Sequence, residues 1–418
     1  MTTPGGVDNA ALDAVATWSK EGSAGWMNEQ LVLGALLRRP ERVAGIGHWL
    51  AAGQFGHPPH RGVYDTITGL HAVGELRPVT DETTTARENL DAPNTQAVVE
   101  NLRLVRSALE AGRFTDVPYD GYHGLVREIY DVGETASADL YTLCGHRVLQ
   151  AAASVRIAQW GVRMAWAAAA EPTASGDPGL LDATLAAMTG DLNDLDVRLR
   201  QSVATDGVVG RIPATAPATP PPLRPTPAPH PVLVQRAELH LIEAVLNDPP
   251  GQHAELLDRF QPDAFVWSTK HANTWRAIQA VARNGEPISP ATVAWESELQ
   301  AADPRNGDHR DGLDGFELVR LNAPRTADTV KRAADTVKRS ALHHYGEQIQ
   351  QDVIGAVADR RAGVQTAMGV AQDAGTALQK KFDRLTGPAR GTAQRSTVDR
   401  RLSGEPATTA QTPHSPAR

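Results

Sequence analysis

The stretch EQLVLGALLRRP, Glu29 to Pro40, is answered later in the chain by ELHLIEAVLNDP, Glu238 to Pro249. Two further blocks repeat in the same order. FGHPPHRGVYDTI (Phe55 to Ile67) pairs with FVWSTKHANTWRAI (Phe265 to Ile278), and GELRPVT (Gly74 to Thr80) with GEPISPAT (Gly285 to Thr292). The offset is 209 residues from Glu29 to Glu238, 210 from Phe55 to Phe265 and 211 from Gly74 to Gly285. So small a drift across three blocks points to a duplicated domain, in a unit far longer than a solenoid repeat.

Periodicity inside the blocks is helical. Leu239, Ile242, Val245 and Leu246 follow the spacing of one helix face, matched by Gln30, Leu33, Leu36 and Leu37. Pro40 and Pro249 stop both helices, because proline cannot continue one. A second helix is expected around Val43, Ile46 and Leu50, against Leu256, Leu257 and Phe260. A third carries Val63, Ile67 and Leu70, against Thr274, Ile278 and Val281. Gly74 and Gly285 then fall where a helix end takes a left-handed residue. Long alanine-rich segments follow, Ala138 to Ala170 and Thr326 to Asp359, each succeeded by a further helical stretch, Gly179 to Leu199 and Val364 to Leu385. Two long helices with a short connection read as a helical hairpin. No segment sustains alternation, so the expected fold is all-α.

The organisation expected is a disordered amino terminus (1–25), a first domain (26–202), a proline-rich linker (203–233), a second domain (234–385) and a disordered tail (386–418). Each domain is a helical bundle with a long hairpin. The linker holds ATAPATPPPLRPTPAPHP, which prefers an extended polyproline form and acts as a semi-rigid spacer.

Composition bounds the function. Of 418 residues, 41% are apolar and 22% charged, ordinary for a chain with real cores. The single cysteine, Cys144, excludes an intramolecular disulfide framework. No apolar run approaches the roughly 18 residues of a membrane span, and MTTPGGVDNAALD lacks the regions of a signal peptide. A cytoplasmic location is expected. The net charge of −8 weighs against non-specific coating of nucleic acid.

The order of EQ-x-VLG-A-LL, an F-x4-HR-x2-Y-x2-I block and G-E-x4-T resembles the amino-terminal domain of DnaB-type replicative DNA helicases. Tyr122 to Ile129 and His146 to Trp160 are similar to the family's following segment and its arginine-led hairpin. In the second half Glu238, Ile242, Phe265, His271, Trp275, Ile278 and Gly285 fall on the family positions. The resemblance implies a domain without chemistry of its own. In the family it pairs with its neighbours as a collar above the motor ring and contacts primase and loader proteins.

The motor is missing from the sequence. A Walker A loop needs G-x-x-x-x-G-K-[ST] to hold a triphosphate. The six lysines are Lys20, Lys270, Lys331, Lys338, Lys380 and Lys381, and none follows a glycine. ATP-driven unwinding by this polypeptide alone is thereby excluded. Other chemistry has little support: His57 and His60 lack the companion ligands of a zinc site, and His60, echoed by His271, reads as packing at the start of the third helix. His343 and His344 read as packed or solvent-facing. Asp308, His309 and Asp311 lie in a polar insertion without the spacing of a calcium loop. Cys144 reads as a small core residue. No catalytic, metal or cofactor residue is expected.

Two features remain for partners. ADTVKRA (Ala327 to Ala333) is followed at once by ADTVKRS (Ala334 to Ser340), which with Arg325 sets Lys331, Arg332, Lys338 and Arg339 in a basic stripe. It reads as a solvated face paired with Asp328 and Asp335, or as a contact for phosphate or an acidic partner. Arg384, Arg390, Arg395, Arg400, Arg401 and Arg418 add a weakly basic tail. On the hairpins, Val155, Ile157, Trp160, Trp166, Val353, Ile354 and Val357 divide between core and interface. Trp160, Trp166, Val353 and Val357 are the docking candidates, with the tryptophans as anchors. The function expected is a non-catalytic interaction protein of DNA replication. It would dock on a helicase, primase or loader, or self-associate, with weak or indirect nucleic-acid contact and no membrane. The alternatives are a DNA-binding regulator using the basic helix and tail, and the collar component of a split helicase whose ATPase is on another chain.

Overall fold

The computed structural model describes residues 20, 22–79, 93–133, 140–170, 179–203, 227–247, 254–303, 312–321, 324–359 and 361–386. Among them every regular element is a helix. The first half contains α1 (Ala24–Arg38), α2 (Val43–Ile46), α3 (Pro58–Ala72), α4 (Pro93–Glu110), α5 (Tyr122–Val132), α6 (Leu140–Ala170) and α7 (Gly179–Val203). The second contains α8 (Pro231–Leu246), α9 (Ala254–Arg259), α10 (Thr269–Arg283), α11 (Pro290–Ala302), α12 (Gly315–Arg320), α13 (Ala327–Ala358) and α14 (Gly363–Thr386). The fold is all-α, as the periodicity requires. Most of the linker, the insertion at 304–311 with His309, Pro249 and the tail beyond 386 lie outside the described residues.

Two compact units emerge, Met1–Thr226 with Tyr345–Leu378, and Pro227–His344 with Gln379–Arg418. This division differs from the linear one at 26–202 and 234–385. The reason is the second hairpin: much of α13 and α14 packs with α6 and α7.

In the first unit α1 is central. Ser23 caps it, its hydroxyl accepting from the Trp26 amide at 3.1 Å. The pattern of Gln30, Leu33, Leu36 and Leu37 implied one buried stripe, yet Glu29, Gln30, Val32, Leu33, Gly34, Ala35, Leu36 and Leu37 are all buried. A helix covered on every side is a core helix. It touches α3, α4, α5 and α6. Gly34 makes the closest of these approaches possible. A Cβ placed there would lie 2.3 Å from the Ile129 carbonyl and 2.5 Å from the Gly133 Cα of the α5 terminus.

The elements after α1 recur in the second unit after α8. Tyr64 donates its hydroxyl to the Leu50 carbonyl at 2.7 Å, and the Trp275 indole donates to the Phe260 carbonyl at 2.9 Å. Phe55 leans on Tyr64, and Phe265 on Trp275, with ring centroids 4.8 Å apart in both cases. Gly74 and Gly285 have φ of 73° and 72°. Each ends its helix with a bond from the next amide back to the last turn, Glu75 to Leu70 at 3.0 Å and Glu286 to Val281 at 3.1 Å. Beyond α1 and α8 most expected apolar positions are core: Val63, Ile67 and Leu70, like Ile278 and Val281, are almost wholly buried, while Leu257 is half-buried. Leu239 is half-buried, and Leu241 takes the inner position instead.

Gly34→Ala should lower unfolding stability by about 1–3 kcal/mol, the usual cost of forcing atoms into a filled core. Gly124→Ala on α5, with nothing within 4 Å of the new methyl, should raise it by about 0.5–1 kcal/mol through helix propensity. Denaturant midpoints of the two variants check the contrast.

Candidate docking surfaces

A buried carboxylate sets the frame that any surface hangs on. Glu29 of α1 faces the start of α3, where its Oε2 lies 2.7 Å from His60 Nδ1. Its other oxygen accepts from the Gly56 amide at 2.7 Å, and the His57 amide lies 3.4 Å from Oε2. Glu238 of α8 does the same work for α10: Oε2 is 2.7 Å from His271 Nδ1, and Oε1 accepts from the Trp267 amide at 3.2 Å. All four side chains are buried. Buried polar groups persist where they are bonded, so His60 and His271 are packing residues of the third helix, as the sequence reading preferred.

The hairpin of α6 and α7 is held at one residue by charge and an indole. Asp191 of α7 accepts from Arg156 Nε at 2.6 Å and from Trp160 Nε1 at 2.5 Å. Arg163 lies over the Trp160 ring at 5.0 Å, and burial lowers the pKa of its guanidinium. Further along, His146 Nδ1 is 2.6 Å from the Ser202 hydroxyl. Burial pushes the Cys144 thiol up, which leaves it an unreactive core residue.

Within the same unit the helix from 345 to 358 lies antiparallel against α6. Ala158 clusters with Ile354, flanked by Val155 and Val357. A Cβ at Gly161 would meet Val353 at 3.1 Å, and one at Gly346 would meet the Ala165 backbone at 2.9 Å. On α14, a Cβ at Gly375 would reach Met188 of α7 at 2.9 Å and Met164 of α6 at 3.5 Å. Small residues let these backbones approach, so the two hairpins form one layer of four helical segments.

That packing decides the docking candidates. Trp160 and Val353 are fully buried, so neither is a surface anchor. Their apolar faces are used inside the chain. Val357 is half-buried and belongs to the cluster around Ala158. Trp166 is half-buried too, so it and Val357 are the candidates that retain exposed surface.

The basic stripe is likewise thinned. Arg325 donates to Glu243 Oε2 at 2.5 Å, a bond that raises its pKa. Lys338 is half-buried, while Lys331, Arg332 and Arg339 are exposed on α13. His343 and His344 are half-buried.

Residues 26–103 match the family model described as "DnaB-like helicase N terminal domain". They carry a DnaB-like N-terminal domain. This segment runs from α1 into α4 and contains Glu29, His60, Tyr64 and Gly74 together. No curated protein and no solved structure matches the chain. No helix among the described residues is long and apolar enough to cross a membrane.

The sequence reading placed Glu29 and Glu238 in the pattern without a role, because their partners sit about one helix away along the chain. Asp191 carried no signal at all. Trp295 and Phe316 are exposed, although an aromatic in an amphipathic helix ordinarily belongs to the core, and the sequence alone does not mark them.

Glu29→Ala should destabilise the protein by about 3 kcal/mol or more, since each stranded buried donor costs about 1–3 kcal/mol. Glu238→Ala should behave alike. Guanidinium unfolding measures both, and a loss under about 1 kcal/mol would show that the buried carboxylate is dispensable.

Proposed function

We propose that this chain is a non-catalytic interaction protein of DNA replication, built from two copies of a helicase collar domain. The observation that carries the reading is the buried glutamate–histidine pair. It lies inside the DnaB-like segment at Glu29 and His60, and it recurs with the same 2.7 Å spacing at Glu238 and His271. The hydroxyl or indole bond beneath each aromatic pair and the left-handed glycines recur with it. Two domains of common descent account for all of these at once, and for their nearly constant sequence offset.

On this reading the hairpin layer is a collar pair made within one polypeptide. Helicase, primase or helicase loader is the class of partner, and the motor belongs to another chain. The protein supplies surface and geometry rather than turnover, and it works in the cytoplasm. The split-helicase reading is the special case in which the partner is the ATPase itself. Trp166, rather than the buried Trp160, is the hairpin anchor.

The DNA-binding alternative draws on the exposed Lys331, Arg332 and Arg339. Three phosphate contacts would give a salt slope of about −3 in log K against log salt. The interleaved Asp328 and Asp335, both exposed on the same helix, oppose such contacts. Protein docking is therefore the reading adopted.

Affinity purification of the full chain from its native cells should recover a replicative helicase, primase or loader, and Trp166→Ala should cut that recovery at least tenfold while circular dichroism stays unchanged. Recovery of no replication protein would overturn the assignment. Undiminished recovery by the folded Trp166→Ala variant would remove the hairpin from it.

A further inference from the structure

The largest exposed aromatic surface among the described residues lies on α11 and α12. Trp295 is 64% exposed, Leu299 51%, Phe316 84% and Val319 61%. Trp295 and Leu299 are four apart on α11, and Phe316 and Val319 three apart on α12, so each pair projects from one side of its helix. The helices pack on each other, with a Cβ at Gly315 only 3.8 Å from the Ala294 methyl. Trp295 and Phe316 are each the next residue along from this contact.

The face is held firmly from beneath. Val293 and Leu318 are fully buried. Ser289 caps α11 through the Thr292 amide at 3.2 Å, and Asp314 caps α12 through the Glu317 amide at 2.7 Å. The Leu313 amide donates to Thr274 Oγ1 on α10 at 2.9 Å. A helix of six residues does not form alone. Here α12 is fixed by its cap and by Leu318, and it displays Phe316 outward.

The charges around the face are one-sided. Among the described residues Glu296, Glu298, Asp303, Asp314 and Glu317 lie on or beside α11 and α12, against Arg320 and the Lys270 ammonium 3.9 Å from Glu317. We propose that the α11–α12 face docks a basic amphipathic helix of a partner protein. Its apolar side chains cover Trp295, Leu299, Phe316 and Val319, and its lysines or arginines meet the carboxylates. Exposed apolar patches rimmed by charge mark such sites, and helices dock through anchors three and four apart.

Other occupants fit less well. The same face of a second copy would set five carboxylates against five. The basic stripe of α13 offers cations but no apolar side, because Val330 and Val337 are buried in its own fold. Nucleic acid and anionic lipid are repelled by the rim. This proposal does not require the replication reading.

The test uses the full chain and fluorescein-labelled synthetic helices followed by anisotropy. One probe carries leucines at i, i+3, i+4 and i+7 among lysines and arginines, and its control replaces the cations with glutamate. The basic probe should bind, more weakly as salt rises, and the acidic one should not. Trp295→Ala with Phe316→Ala should weaken binding at least tenfold at unchanged circular dichroism. Glu296→Lys with Glu298→Lys, which leaves the apolar face intact, should do the same. Equal binding of both probes, or affinity unmoved by either pair of substitutions, overturns the proposal. A concentration-dependent dimer lost in Trp295→Ala would assign the face to a second copy. Tighter probe binding after deletion of 387–418 would assign it to the chain's own tail. Either result also overturns the proposal.

Discussion

A carboxylate buried between the first and third helices of each half is the constraint from which the remaining geometry follows. Glu29 lies where water cannot solvate it, so its oxygens must be met by the Gly56 amide and the His60 ring. Those donors sit in the loop before α3 and in its first turn, and bonding them fixes where that helix starts. Once the start is fixed, Phe55 and Tyr64 stack, and Tyr64 ties down the loop carrying Leu50. Burial raises the Tyr64 hydroxyl well above its ordinary pKa, which keeps it a neutral donor. The second half reaches the same result with different chemistry: Trp275 replaces the tyrosine, and its indole replaces the hydroxyl. What is kept is a donor at the end of a large ring beside an aromatic neighbour.

The hairpin layer follows another rule. Its close contacts occur where a side chain is absent, at Gly161, Gly346 and Gly375, and its polar centre is the single carboxylate Asp191. Dispersion between closely packed helices needs such small residues, because a gap of even a fraction of an ångström forfeits much of the attraction. The cost falls on docking. Trp160 has the features of an interface anchor, a large ring with a donor, but Asp191 takes the donor and the ring is fully buried.

Local signals carried most of the fold into view. The proline after α1, the left-handed glycines and the unbroken alanine-rich runs each act within a few residues of where they stand, and the helices follow them closely. Whatever depended on distant contacts stayed hidden. The stripe Gln30, Leu33, Leu36 and Leu37 marked α1 as helical but gave no sign that Val32 and Glu29 would also be enclosed. The grouping of Tyr345–Leu378 with the first half rests on contacts between glycines and side chains far apart in sequence. On the surface, the stripe from Arg325 to Arg339 is visible as a repeat, whereas the pairing of Arg325 with Glu243, distant along the chain, is not.

Charge then narrows what these surfaces can recognise. A site for nucleic acid gains affinity by releasing counterions, which demands several cations free to meet phosphates. On α13 Asp328 and Asp335 stand about one turn from the exposed cations and offset part of their charge. On α11 and α12 the field is negative, and the apolar side chains stand in the middle of it. Apolar contact supplies affinity, and the surrounding charge selects the partner and speeds its arrival. A face that combines exposed tryptophan and phenylalanine with carboxylates therefore discriminates against phosphate and favours a polypeptide with cations beside its own apolar stripe.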